Sequence, residues 1–161
     1  MHPLEERIGY QFRDSQLLTE ALTHPSVAHE KQKKHFDNQR LEFLGDAVLQ
    51  LVVTEHLFTR YGEAGEGRLT IQRARLVSRQ ALKVHAARLD LGPHLLMGRG
   101  EEASGGRQRD STLGDAFEAL LGAIYLDSDL ETARRFILED RELIRHPVCD
   151  HDIRRNFPWM C

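Results

Sequence analysis

The sequence predicts an all-helical fold. Apolar residues recur at intervals of three and four through most of the chain. Alternating strand patterns are absent, and clusters of glycine and proline divide the chain into helix-sized segments. With 161 residues, 40% of them hydrophobic and 29% charged, the chain has the composition of one ordinary globular domain able to bury its own core.

The elements follow in order. Asp14 is placed to cap a short helix carrying Leu17, Leu18, Ala21 and Leu22. Pro25 discourages its continuation, and the polar run from His29 through Lys31 and Lys34 to His35 reads as an exposed loop. A long apolar helix is expected from about Asn38 to Thr59, closed by a turn at Gly62, Gly65 and Gly67. The next helix holds Leu69, Ile71, Ala74, Leu76 and Val77. Ser78 then starts another, through Leu82, Val84, Ala86 and Leu89. Gly92-Pro93, Gly98, Gly100 and Gly105-Gly106 define a connector. Ser111 or Thr112 should cap a second strongly apolar helix ending near Asp127-Ser128. A last amphipathic helix carries Leu130, Ala133, Phe136 and Ile137, and the sequence turns irregular after about Leu143.

The chemistry lies in two acidic pairs. Glu42 and Asp46 are four residues apart on the first apolar helix, which stacks both carboxylates on one face. Asp115 and Glu118, three apart, repeat the arrangement on the second. Like charges at these spacings repel, and burial raises the cost. Acids in a first turn can merely complement the helix dipole, but two pairs on the two most apolar helices exceed that reading. Each helix also carries an interior glycine, Gly45 and Gly122. Glycine there costs about 1 kcal/mol against alanine, and close approach of two backbones is a reason to accept it. If the two faces meet, four hard oxygen ligands converge, a site for magnesium with manganese as a substitute. A di-iron bundle would need Glu-x-x-His motifs, and the sequence has none.

The segment Asn38-Gln39-Arg40-Leu41-Glu42-Phe43-Leu44-Gly45-Asp46-Ala47-Val48-Leu49 resembles the signature of ribonuclease III. Leu22-Thr23-His24-Pro25-Ser26, Glu66-Gly67-Arg68-Leu69-Thr70, Arg73-Ala74-Arg75-Leu76-Val77-Ser78 and the run from Asp115 to Asp127 also resemble that family, in family order. The resemblance covers roughly Leu4 to Leu138 and implies the ribonuclease III endonuclease-domain fold, with the catalytic domain placed over residues 1–143; residues 144–161 carry no such resemblance and read as an irregular tail or truncated linker. It implies a symmetric homodimer that cuts double-stranded RNA in RNA processing, such as rRNA or mRNA maturation or decay, leaving 5′-phosphate and 3′-hydroxyl ends with short 3′ overhangs. Glu42, Asp46, Asp115 and Glu118 fall on the metal-site acids, with Asp46 and Glu118 closest to the chemistry. The family often has another acid where this chain has Gln39, while its companion is present as Glu66. A non-catalytic module of the same fold, binding double-stranded RNA or acting as a scaffold, is the alternative.

RNA capture needs cations beside the acids. Arg68, Gln72, Arg75 and Arg79 recur at four, three and four residues, which predicts one polar stripe, and Arg107 adds charge on the connector. Gln39 and Glu66 complete the expected RNA-facing set. Net charge is −3, which disfavours a generic nucleic-acid binder unless bound cations mask some of the acids. No separate double-stranded-RNA-binding domain is recognisable after the catalytic one, so weak, salt-sensitive RNA binding is expected. Aromatic residues beyond the needs of a small core, Phe36, Phe58, Tyr61 and Trp159, also suggest a dimer. Only Cys149 and Cys161 occur, far from zinc or disulfide spacing, and no apolar run is long enough for a membrane span. A cytoplasmic setting without membrane contact is the expectation.

Overall fold

The computed structural model describes residues 2–27 and 36–139. The Lys31 to Lys34 loop and the tail 144–161, with Cys149, Trp159 and Cys161, lie outside the described residues. Among those described the elements are helical: α1 (Pro3–Ile8), α2 (Ser15–Ala21), α3 (Gln39–Arg60), α4 (Glu66–Leu76), α5 (Arg79–Arg88), α6 (Arg99–Ala103), α7 (Asp110–Asp127) and α8 (Leu130–Glu139). Short 3₁₀ turns at Gly92–His94 and Gly106–Gln108 flank α6. The connector between α5 and α7 is therefore more ordered than its glycine content predicts.

Helix α1 was missed by periodicity because it is too short to show any. Its start is chemical: His2 accepts from the Leu4 amide at 3.2 Å, and Glu5 reaches back to the His2 amide at 2.6 Å. The same Glu5 accepts from the Phe12 amide at 2.8 Å, and these two amides hold its carboxyl below the usual range despite burial. Asp14 caps α2 and Ser78 caps α5, as their positions predict. Neither Ser111 nor Thr112 caps α7. That helix begins at Asp110, with Arg109 at its cap and no side-chain capping bond, so both residues lie inside the first turn.

The molecule is organised around α3 and α7. Helix α7 is enclosed: Leu113, Ala116, Phe117, Ala119, Leu120, Leu121, Ala123 and Ile124 are all buried. Helices α2, α5 and α8 pack on α7, while α4 packs on α3. The segment after α2 is pinned by an isolated parallel bridge, in which the His24 amide donates to the Leu96 carbonyl and the Leu96 amide to the Leu22 carbonyl, both at 2.8 Å.

The crossing of α3 and α7 is set by glycine. A Cβ added at Gly45 would lie 1.7 Å from the Glu118 carbonyl oxygen, and one added at Gly122 would lie 2.3 Å from the Leu41 carbonyl oxygen. Both are far inside contact distance, so the two backbones touch where a side chain would separate them. The C-terminal end of α7 is tied by Asp127. It accepts from the Tyr10 hydroxyl at 2.6 Å, the Arg13 amide at 2.8 Å and the Asp14 amide at 2.9 Å. An acid at a helix C-terminus opposes the dipole, and these three donors offset that.

Helix α3 departs from expectation in one respect. Its apolar character predicts burial all round, yet Phe43 is 82%, Leu51 52% and Phe58 71% exposed. With Ala47 and Thr54, also exposed, they recur at intervals of four, four, three and four and form one stripe along the helix.

Candidate functional site

The acids reach one place because of that crossing. Gly45 lies between Glu42 and Asp46 on α3, and it touches the backbone of Glu118 on α7. Three carboxylates, from Glu42, Asp115 and Glu118, each place an oxygen within 4.8 Å of the others. Asp46 stands outside this tight group, but it lines the same open cleft of about 410 Å³. The other walls are Gln39, Phe43, Val77, Arg79, Leu82 and Gly114.

The three clustered acids are half-buried, and Asp46 is exposed. Asp46 accepts from the Gln50 amide group at 3.4 Å, one turn along. Among the described residues no cation forms an ion pair with Glu42, Asp115 or Glu118, and no donor hydrogen-bonds to their carboxylates.

Electrostatics record the strain. Burial, then the charges of Asp46, Glu42 and Asp115, push Glu118 up to about 8, with Arg79 opposing. Burial, then Asp115 and Asp46, raise Glu42. Burial raises Asp115, offset in part by Arg79 and His24. A group of carboxylates that the protein crowds together without an ion-paired partner among the described residues fits a hard divalent cation, and its all-oxygen donor set suits magnesium or manganese.

His24 received no individual role from the sequence, although its segment stood out. It is half-buried, its Nδ1 lies 2.8 Å from the Ser26 hydroxyl, and the same hydroxyl accepts from the Gly98 amide at 2.9 Å. Burial lowers its pKa, against the raising influence of Glu101 and Asp115. Phe43, Val77, Leu82 and Gly114 also went unremarked as cleft residues, because nothing in apolar periodicity separates a cleft wall from a core position.

The expected polar stripe does not form. Gln72 is 3% exposed and belongs to the interior. Helix α4 ends at Leu76, so Arg79 starts a different helix and is not on the face of Arg68 and Arg75. The spacing rule fails because it was carried across the Val77-Ser78 break, where the same sequence already starts a new helix. Arg68 lies over the Tyr61 ring, 5.9 Å from its centroid. Arg75 is exposed. Arg107 donates to the carbonyls of Gly92 and Leu95 and pairs with Glu102, so its donors are engaged within the connector. Glu66 accepts from the Thr70 hydroxyl at 2.7 Å and borders a groove with Phe58 and Arg73, away from the clustered acids. Of the seven residues expected to face RNA, Gln39 and Arg79 line the carboxylate cleft.

The family model described as "Ribonuclease-III-like" matches residues 14–143. Ribonuclease 3 of Syntrophomonas wolfei is 56% identical over 86% of this chain and 62% of its own length. Ribonuclease 3 of Caldanaerobacter subterraneus is 52% identical over 84% of this chain and 60% of its own length. The chain thus spans about three-fifths of the curated relatives it matches. Among solved structures, a nuclease domain of ribonuclease III from Campylobacter jejuni aligns with a TM-score of 0.80 at 42% identity, covering 96% of both chains. That structure is described as showing flexibility in a region involved in dimer formation. A second crystal structure of the same nuclease domain gives a TM-score of 0.80 at 43% identity, over 91% of this chain and 96% of that one.

Proposed function

This chain belongs to the ribonuclease-III-like family, and from that premise we propose that it is an endoribonuclease that hydrolyses phosphodiester bonds of double-stranded RNA with divalent metal. The observation that carries the proposal is the convergence of Glu42, Asp115 and Glu118 within 4.8 Å, in a cleft open enough to admit a backbone phosphate. The products are proposed to be 5′-phosphate and 3′-hydroxyl ends with short 3′ overhangs, and the role to be RNA processing.

Glu42, Asp115 and Glu118 would hold magnesium, or manganese in its place. Bound divalent ions supply charge stabilisation at the attacking and leaving oxygens and lower the pKa of a water. The protein's own contribution is placement. The glycine crossing fixes how far the Glu42 side of the site stands from the Glu118 side. Asp46, solvent-exposed on the same face, is positioned to orient an incoming water. Val77 and Leu82 give one wall a low polarity, which strengthens charge interactions beside it.

The assembly proposed is a symmetric homodimer. The stripe of Phe43, Ala47, Leu51, Thr54 and Phe58 supports it, because a self-complementary apolar helix face is what a twofold contact needs. Two clefts in one dimer would then cut the two strands of one duplex. No helix among the described residues is long and apolar enough to cross a membrane. A cytoplasmic site of action fits an RNA-processing role.

The test is cleavage of a long RNA duplex beside a single-stranded control. Cutting should require magnesium or manganese, and Glu118→Gln should lower the rate by at least about 100-fold, since even partners of metal ligands cost 10–100-fold. Tight duplex binding with no cleavage in either metal would instead identify a non-catalytic RNA-binding module.

A further inference from the structure

Among the described residues, Arg79 is the one cation that lines the carboxylate cleft. It starts α5, where the Ser78 hydroxyl caps the helix by accepting from the Ala81 amide at 3.2 Å. Its stem lies over bare backbone of α7: a Cβ built on Gly114 would sit 3.8 Å from the Arg79 Cγ. Gly114 adjoins Asp115, so the stem passes beside the acids.

Yet Arg79 forms no ion pair among the described residues. Several cations that stand beside an acid do close onto it. Lys83, one turn along α5, pairs with Asp110 at 2.7 Å. Arg109 pairs with Glu101, and Arg134 with Glu55. Arg79 stands beside a cluster of acids, and its field reaches Glu42, Asp115 and Glu118. It nevertheless remains exposed and uncommitted. A residue serving only as counter-ion would close onto a carboxylate. One held across an open gap keeps its five donors for something that enters the gap. The planar guanidinium matches two oxygens of a phosphate, and attraction to phosphate grows once the acids are neutralised by metal.

We propose that Arg79 is the phosphate-docking residue of the cleft, engaging non-bridging oxygens of a substrate phosphodiester opposite the carboxylates. This deepens the endoribonuclease reading and rests on it. Arg79 contacts substrate directly and takes no part in holding the metal.

Arg79→Ala and Arg79→Lys test it, with duplex RNA binding measured across a salt series in the Glu118→Gln background and cleavage measured without that change. Manganese alone, titrated by calorimetry into otherwise unaltered protein, reports the metal site. Arg79 is exposed, so both variants should keep the helical circular dichroism and melting temperature of the parent. Removing one charge-assisted contact should weaken duplex binding about tenfold and raise KM alike. The slope of log affinity against log salt should shrink by about 1. Manganese affinity should hold or tighten, since a nearby positive charge is gone. Lysine should restore the salt slope, as a point charge, but only part of the affinity.

Unchanged duplex affinity and slope in Arg79→Ala would overturn the proposal. So would a loss confined to manganese binding, with RNA affinity normal at saturating metal, because Arg79 would then serve the acids. If unaltered protein fails to cut duplex RNA, the parent reading falls and takes this one with it. If it cuts and Arg79→Ala is indifferent, only this inference falls.

Discussion

Glu118 is where the molecule concentrates electrostatic repulsion, and a stability measurement can isolate it. Its carboxyl titrates near 4.5 when free and at about 8 in the folded protein. Between those values the folded state holds a proton that the unfolded chain has released. The Glu118 contribution is therefore most favourable below about pH 4.5 and is lost as pH rises through about 8. Other acids run the opposite way. Asp127 and Glu5 are held below their usual range by hydrogen bonds, so their stabilisation is present at neutral pH and fades in acid. Comparing unaltered protein with Glu118→Gln cancels those shared effects. In metal-free buffer the melting temperatures should lie close at pH 5, and the variant should become the more stable as pH approaches 8. Magnesium should close that gap. A gap that stays constant with pH, or favours the unaltered protein throughout, would contradict the account. At this scale the four acids were readable because helical spacing alone makes two like-charged pairs awkward. The contacts of Arg107 were not readable, because charge in a glycine-rich connector looks solvated and only the fold reveals the carbonyls it meets.

The elements explain which parts of the fold were legible. The long helix expected from about Asn38 to Thr59 spans Gln39–Arg60, since an uninterrupted apolar period of that length admits few other structures. Helix α1 stayed hidden, because six residues carry too little periodicity and the His2–Glu5 cap is an unusual signature. The stripe through Gln72 failed because its residues belong to two helices. The glycines gave more than expected: their helical positions suggested close approach, and the two carbonyl contacts supply it. Gly45→Ala should therefore force α3 and α7 apart, costing about 3 kcal/mol or more and lowering cleavage with the four acids still present. Gly114→Ala is the contrast. Its Cβ would meet Arg79 and Leu82 atoms at an ordinary 3.8 Å, so helix propensity should leave stability unchanged or raise it by up to about 1 kcal/mol. Thermal melts of the two variants side by side check both. Equal destabilisation would mean that the crossing is not the constraint.

For the whole molecule, the unburied face of α3 is the feature a lone protomer does not explain. An isolated chain gains nothing from three large apolar side chains at half exposure or more along one helix. Leu51→Asp, in the middle of that stripe, should leave the protomer folded, because Leu51 is already 52% exposed, while shifting the mass in light scattering from dimer to monomer. Both-strand cutting should fall with it. A monomeric unaltered protein, or a dimer indifferent to Leu51→Asp, would place the contact elsewhere. The sequence hinted at this face only through a surplus of aromatics, since helix period cannot say which apolar side meets a partner and which the core. The contact of α3 with α7 bears on how such a domain can change over time. The ruler between its acids is made of peptide groups, so drift among the surrounding leucines and valines can alter stability without recalibrating the site. At Gly45 and Gly122, where the crossing has no side chain at all, a single small substitution should disturb the site while leaving every reactive group intact.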